Sequence, residues 1–313
     1  MGYLTKFGSM WGDIPKTNGQ VFWVAASASY VVDGITYTAS DSNDGLSPAR
    51  ALLTLAQAVT NATANVNDVI VLLHGAHSWA ASVALSKAGL TIMGLPGGKG
   101  HPEWKRTSIT TSAADEVINI TAADIEIAHL TLIPVTAQRG IDYTAAADRL
   151  YIHDCSVDMY TPVVNIATIG IGPTTASIAA DRIVIEDCYF EADGAQGVGV
   201  DLGNPAGAVV RRCKFVITTG TWAAAAAVNE GTGGYALFED SEVTTLGAGI
   251  ATIGFRGTTS TPTGAVGFLR NYFSFAVTVP IDDFATAGTA YLAENYKANT
   301  GAGSGGAIVT AIT

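Results

Sequence analysis

The sequence predicts an all-β solenoid, a single chain wound as a parallel β-helix behind an N-terminal capping helix. Three observations carry this. The string "DRLYIHDCSV" from Asp148 returns as "DRIVIEDCYF" from Asp181, 33 positions on. The same apolar alternation can be followed through seven copies. Between copies lie Gly-rich breaks and short apolar runs without helical spacing.

The copies align on one column. They read "IEIAHLTL" from Ile125, "LYIHDCSV" from Leu150, "IVIEDCYF" from Ile183, "VVRRCKF" from Val209, "ALFEDSEV" from Ala236, "VGFLRNYF" from Val266 and "AYLAENYK" from Ala290. The column itself is Leu130, Cys155, Cys188, Cys213, Ser241, Asn271 and Asn295, with steps of 25, 33, 25, 28, 30 and 24 residues. A repeat of that period in which each unit stacks only on its neighbours is a solenoid. An earlier strand precedes most copies: "VINI" at Val117, "GIDY" at Gly140, "TIGI" at Thr168, "GVGV" at Gly197 and "IATIGF" at Ile250. Coils of two or three short strands rise by one strand spacing, so about nine of them give a rod on the order of 40 Å. The unequal steps place loops at the side of the rod, among them "GIGPTTASIAA", "TTGTWAAAAAVNEGTGG" and "RGTTSTPTG". Any specificity is expected there.

Composition agrees with this class. Of 313 residues, 48% are apolar and 14% charged, which supplies a long core and a surface rich in Ser, Thr, Gly and Asn. The net charge of −11, with only 16 Lys and Arg, opposes general nucleic-acid binding, which needs clustered cations. No run of about 18 apolar residues is present, so no membrane-spanning helix is expected. "MGYLTKFGSMWGDIPKTNG" lacks the apolar stretch of a signal peptide, and assembly in a cytoplasm is expected. The three cysteines, Cys155, Cys188 and Cys213, share the stacked column. They are expected to be buried, unbridged small hydrophobes.

Ahead of the repeats, Ser47 and Pro48 read as an N-cap and first helical residue, with Leu52, Leu55, Ala56 and Val59 on one helical face. A helix near 47–62 would cover the open end of the stack. "NDVIVLLHG" is the first expected strand. In this stretch Asp44, Gly45, Ser47, Pro48, Ala51, Thr54, Leu55, Ala58, Val59, Asp68, Ile70, Leu72 and Gly75 match the "DGxSPxxAxxTLxxAV…GDxIxLxxGxY" pattern. That pattern is found in right-handed parallel β-helix proteins of the pectate-lyase-like superfamily, which the chain resembles over about residues 40–299. The resemblance implies a right-handed coil. It leaves activity open, because the architecture hosts lyases, hydrolases, phage tailspikes and structural proteins.

The acidic residues to weigh as an active site are Asp142, Asp158, Asp187, Glu191, Asp193, Asp201, Asp240, Asp282 and Asp283. A glycosidase needs two carboxyls about 5 to 9.5 Å apart, and a calcium-dependent lyase needs clustered Asp with a basic residue. Asp187 and Asp240 stand two coils apart in one row. That row also holds His129, Asp154, Arg212, Arg270 and Glu294, and so reads as a solvated edge. His153, two residues before Cys155, would face the same side of a strand and could serve as its base. "HGAH", His74 to His77, lacks a third ligand for a metal. Tyr189, Tyr272 and Tyr296 recur just after the column and are the expected binding or interface row, with Trp222 in an Ala-rich loop. No catalytic, cofactor or metal residue is therefore assigned.

Residues 1–39 carry Tyr3, Phe7, Met10, Trp11, Ile14, Phe22 and Trp23 and are expected to form a docking arm. The solenoid is expected over 40–299. Residues 300–313 read as a Gly-rich tail ending in a short strand that pairs outside its own stack. By resemblance, the chain looks like a bacteriophage β-helical structural protein, a capsid decoration (cement) protein or a spike or fibre subunit. The missing signal peptide, low charge, weak catalytic constellation and adhesive ends favour a virion location, with attachment to the major capsid protein or another virion protein through the arm, and host glycan as a further candidate partner. The resemblance implies a homotrimer, and no cofactor is expected. A polysaccharide-degrading tailspike or lyase is the alternative reading, and a carbohydrate-binding adhesin the third.

Overall fold

Every full coil contributes one strand to each of three sheets. The computed structural model describes residues 17–32, 34–95, 107–111, 116–134, 139–159, 169–173, 179–193, 196–230, 234–246, 249–259, 265–274, 277–285, 289–297 and 307–309. Sheet I has eight strands, from Val83–Leu85 to Val277–Ala285, and sheet II has ten, from Val21–Val24 to Thr289–Ala293. Sheet III also has ten, from Gly75–Trp79 to Ala307–Val309. Neighbouring coils pair in parallel, as in Ile183–Glu186 against Ala208–Arg211. Parallel strands joined by a crossover wind right-handed, and the protein is a right-handed parallel β-helix.

From the coil of Ile125 onward, the corner between sheets II and III is built from one residue in the left-handed region followed by one buried residue. The first of these are His129, Asp154, Asp187, Arg212, Asp240, Arg270 and Glu294, all with φ between 50° and 55°. The second are the predicted column, from Leu130 to Asn295, and all seven are buried. The left-handed step costs an L-residue roughly 1–2 kcal/mol. It also reverses the strand alternation, so the residue before it lies on the outer face of sheet II while the column residue faces the core.

Polar members of the column bond upward through the stack. Ser241 Oγ accepts the amide of Cys213 at 3.1 Å, Asn271 Oδ1 that of Ser241 at 3.0 Å, and Asn295 Oδ1 that of Asn271 at 3.0 Å. The amide nitrogens of Asn271 and Asn295 donate to the Phe238 and Phe268 carbonyls at 2.9 and 2.7 Å. The three cysteines are buried and unbridged.

Small residues on sheet I face large rings from sheets II and III. A Cβ on Gly199 would lie 2.6 Å from the Ala225 carbonyl and 3.0 Å from the Phe215 ring. Phe190 stacks on Phe215 at 4.8 Å, Phe238 on Phe268 at 5.3 Å, and Phe255 touches both sets. The Ala-rich segment expected as a loop is the strand Thr221–Glu230, in register with its neighbours on both sides. Trp222 within it is fully buried.

The N-terminal boundaries need correction. Residues 21–32 and 34–39, assigned to a docking arm, belong to the fold. Val21–Val24 is the first strand of sheet II, paired with Val69–Leu72, and Phe22, Trp23 and Val24 are buried. Residues 45–52 close its other side: Trp23 donates to the Gly45 carbonyl, Leu52 to Trp23 and Ala25 to Leu52, at 2.8–2.9 Å. Ser29–Val32 and Ile35–Thr38 form a separate antiparallel hairpin. Residues 1–16 of the expected arm lie outside the described residues.

The expected helix is shorter and starts later. Pro48–Arg50 is a single 3-10 turn whose Ser47 side chain makes no cap bond, and Leu52 bridges Val24 instead of joining a helix. Helix α1 is Leu55–Asn61, capped by Thr54, whose hydroxyl accepts the Gln57 amide at 3.1 Å. It buries Leu55, Ala58 and Val59 and leaves Ala56 exposed. At the other end, Ala307–Val309 pairs antiparallel with Asn295–Lys297 of its own last coil, not outside the stack.

Candidate functional site

Two polar surfaces emerge from the coil geometry, and they differ in kind. The first is the outer edge of sheet II beside the II–III corner. Asp187 is forked by Arg212 of the next coil at 2.8 and 2.7 Å, and Asp240 by Arg270 at 2.7 and 2.9 Å. Arg270 holds the Asp240 carboxyl below the usual carboxylate range. Glu186, almost fully buried, meets Arg211, Arg212 and the Tyr151 hydroxyl. Burial pushes its carboxyl up, but those bonds and charges outweigh it and hold it low. Asp187 and Asp240 thus serve separate coil-to-coil clamps and do not converge as an acid pair.

His153 sits in the same edge. Its Nε2 meets Glu126 at 3.0 Å, its Nδ1 meets Asp154 at 2.8 Å, and its ring stacks on Tyr151 at 4.3 Å. The left-handed step at Asp154 puts His153 outside and Cys155 inside, so the expected same-side pair does not form. Cys155 instead lies 3.7 Å from the Ile127 carbonyl, and burial raises the thiol of Cys188 further along. Burial alone would lower the His153 pKa, but the two carboxylates raise it to about 10.

A raised imidazole stabilises the fold fully below its ordinary pKa near 6.5, and that contribution fades as pH climbs through about 10. Denaturation of the wild-type chain and of His153→Gln should therefore differ most at pH 6 and converge towards pH 10. The pH-dependent part is bounded by about 5 kcal/mol. A gap that widens with rising pH would show that His153 is neutral in the fold.

Other sequence candidates separate. His77 is buried with Nε2 2.8 Å from the Leu73 carbonyl, and burial lowers its pKa, so it stays neutral. Among the described residues no three His, Cys, Asp or Glu side chains cluster for a metal. The tyrosine row is interrupted: Tyr189 and Tyr272 are separated in register by Lys214 and Glu242, which pair at 3.3 Å. Asp158 and Glu191 face each other in register on sheet III. The side chains of Asp193, Asp282 and Asp283 lie outside the described set.

The second surface lies on sheet I. Asp142 pairs in register with Asn119, and its strand Arg139–Tyr143 runs beside Ile169–Ile171 and then Gln196–Asp201. Gly172 follows between Asp142 and Asp201, and a Cβ there would lie 2.8 Å from that of Asp201. The row continues through Ala227 and Arg256 to Asp282. Two coils separate the acidic residues, roughly 9.6 Å along the stack. Burial raises the Asp201 pKa, tempered by the Gly203 amide at 2.9 Å and the charge of Arg139. Arg139 and Asp142 are themselves buried. Tyr143 beneath them donates to the Asp201 carbonyl at 3.2 Å. Two carboxyls on one face with the Arg139 guanidinium acting on Asp201 can hold a polar or anionic substrate. Asp142 and Asp201 were legible as candidates. Arg139 and Arg256 were missed, and only aligning "RGID", "GVGVD" and "GFRG" as strands of one sheet places Arg139 beside Asp142 and Arg256 two coils beyond Asp201 in the same row.

No family model matches the chain, and no curated protein matches it. Solved structures do. Pectin methylesterase PemA from Erwinia chrysanthemi superposes with a TM-score of 0.57 at 14% identity, covering 92% of each chain. The pectin methylesterase from carrot gives 0.56 at 12%, covering 92% of this chain and 86% of that one. That from Aspergillus niger gives 0.56 at 13%, covering 92% and 88%. These likenesses show the right-handed parallel β-helix fold, at identities that speak for fold alone.

Proposed function

We propose that the chain is a non-enzymatic structural rod of a bacteriophage virion, a capsid decoration protein or a spike or fibre subunit, assembled as a homotrimer. The observation that carries this is the use of its charged side chains. Along the edge of sheet II, Glu186, Asp187, Glu239 and Asp240 are all engaged by arginines of the next coil. They stiffen the stack and leave no acid pair there for chemistry. A second observation supports assembly. Near the C-terminal end, the outer face of sheet II carries an apolar groove of about 320 Å³ lined by Tyr235, Leu237, Gly267, Leu269 and Tyr291. Tyr235 and Tyr291 are 53% and 60% exposed, a surface suited to burial against sister copies.

The polysaccharide reading is kept because a specific feature favours it: Asp142, Asp201 and Arg139 on sheet I, in a fold whose named neighbours are pectin methylesterases. It makes the chain an enzyme of acidic polysaccharides. One comparison separates the two. Under the structural reading, the combined change Leu237→Ser and Tyr291→Ser turns the oligomer into a folded monomer by light scattering. Asp201→Asn leaves the oligomer intact, and no methanol or cleaved sugar is released from methylated pectin. Turnover that disappears with Asp201→Asn would establish the enzyme reading instead.

A further inference from the structure

A different part of the molecule, the corner between sheets I and II in the first coils, holds a polar groove of about 410 Å³. Its lining includes Thr17, Asn65, Asn67, Thr91, Asp124 and Glu126. The corner is a column of left-handed residues, Asn65, Gly89, Asp124, Arg149 and Arg182, with φ of 63°, 74°, 58°, 58° and 56°. Each step is bonded to the next coil: Asn65 to the Ala88 carbonyl at 2.7 Å, Gly89 to Ala123 at 3.1 Å, and Asp124 to Asp148 at 2.8 Å. Among these five residues only Gly89 lacks a side chain. A Cβ there would lie 3.4 Å from Asn65 Cα and 3.5 Å from Asn67 Oδ1. The groove opens beside this one missing side chain, between an asparagine pair and an aspartate.

The walls are fixed from behind. Asp124 is forked by Arg149, one arm at 2.5 Å. Glu126 takes His153 on one oxygen at 3.0 Å and the Thr91 hydroxyl on the other at 3.0 Å. Asp124 is thus paired with Arg149, and Glu126 with a His153 that Asp154 shares, so among the described residues the notch holds no cation for an anion and only a partial negative charge for a metal ion. What remains is a set of spare acceptor lone pairs, two side-chain amides that both donate and accept, and hydroxyls. That set matches vicinal hydroxyl groups. The volume falls within the range of small-ligand sites, and supporting groups that lock the lining in place favour affinity over reorganisation.

The geometry points to a binding site for a neutral saccharide in the Gly89 notch, separate from the acidic face of sheet I and independent of either functional reading. Gly89→Asn tests it directly. Asn accepts the left-handed backbone, as Asn65 does in the preceding coil, and its side chain projects into the groove that Gly89 lines. Neutral hexasaccharides (maltohexaose, mannohexaose, cellohexaose) and hexagalacturonate would be titrated into the full chain while the side-chain amide signals of Asn65 and Asn67 are followed by NMR. At least one neutral sugar should shift both signals. Gly89→Asn should weaken it at least tenfold with an unchanged melting curve, and Asp201→Asn should leave it unaltered. Thr91→Val, which removes a hydroxyl at constant shape, should weaken it as well and stands in if Gly89→Asn misfolds. Silence with every neutral sugar at millimolar concentration overturns the assignment. So does binding that survives both variants, a response only to hexagalacturonate, or saturation of the same amides by calcium alone.

Discussion

Deleting residues 1–39 is expected to produce aggregated chain and not a shortened rod. The deletion takes away Val21–Val24, with every bond it makes to Val69–Leu72 and to residues 45–52. It also removes Phe22, Trp23 and Val24 from full burial, each worth roughly 1.5–3 kcal/mol or more. Set against a net stability of about 5–15 kcal/mol for a folded domain, that loss alone takes most of the margin. The strand Val69–Leu72 would become a bare, wholly apolar edge, the kind that recruits other chains. A chain beginning at Thr17 retains all of these contacts and is the control. Size-exclusion profiles and melting curves of the two truncations decide the matter. A monodisperse, cooperatively melting chain without residues 1–39 would return the whole segment to the role of a detachable arm.

Cys188→Asp should be the most damaging single substitution in the column, and Cys188→Asn should be far milder. The site is closed: the thiol is 2% exposed and lies 3.8 Å from the Ile152 carbonyl. A carboxylate placed there has no cation within the core, and an uncompensated buried charge costs about 3–5 kcal/mol. Asparagine has nearly the same shape, yet the coils above show what it does in this position. At Asn271 and Asn295 the oxygen takes the column amide of the preceding coil while the nitrogen gives to the carbonyl three residues before that amide. At position 188 the equivalent groups are the Cys155 amide and the Ile152 carbonyl. Urea titrations of the two variants should differ by several kcal/mol. Equal midpoints would mean that the column does not bond through the stack at this height.

The sequence carried the stack well because in-register coils repeat the same demand. Each coil needs a small buried side chain after the sharp II–III corner, and Cys, Ser and Asn all satisfy it, so the column could be read through changes of identity. The first strand was missed because "VFWV" opens the rod and has no partner repeat to align with. The Ala-rich strand was missed because alanine has poor strand propensity. In place it is held by the neighbouring strands and by the rings it leaves room for. The helix was placed early because Ser-Pro is a strong local start signal. Tertiary pairing of Leu52 with Val24 overrides it. The sheet I surface was half legible: acidic residues stand out anywhere, but Arg139 and Arg256 join them only across loops of unequal length, which no fixed spacing reveals.

From the coil of Ile125 onward the II–III corner keeps a length of two residues in all seven copies, whereas the other two corners vary freely in length. A gene encoding such a rod can therefore lengthen or diversify by two unequal routes. Extra codons at the free corners add surface and leave the winding undisturbed, so new peptides could be displayed there at any height. A single extra codon after Asp154, Asp187 or Arg212 would turn the following strand inside out, because side chains alternate with a period of two. Growth of the rod itself can then proceed only by duplicating whole turns cut elsewhere, and the II–III corner becomes the seam along which such duplications stay in phase.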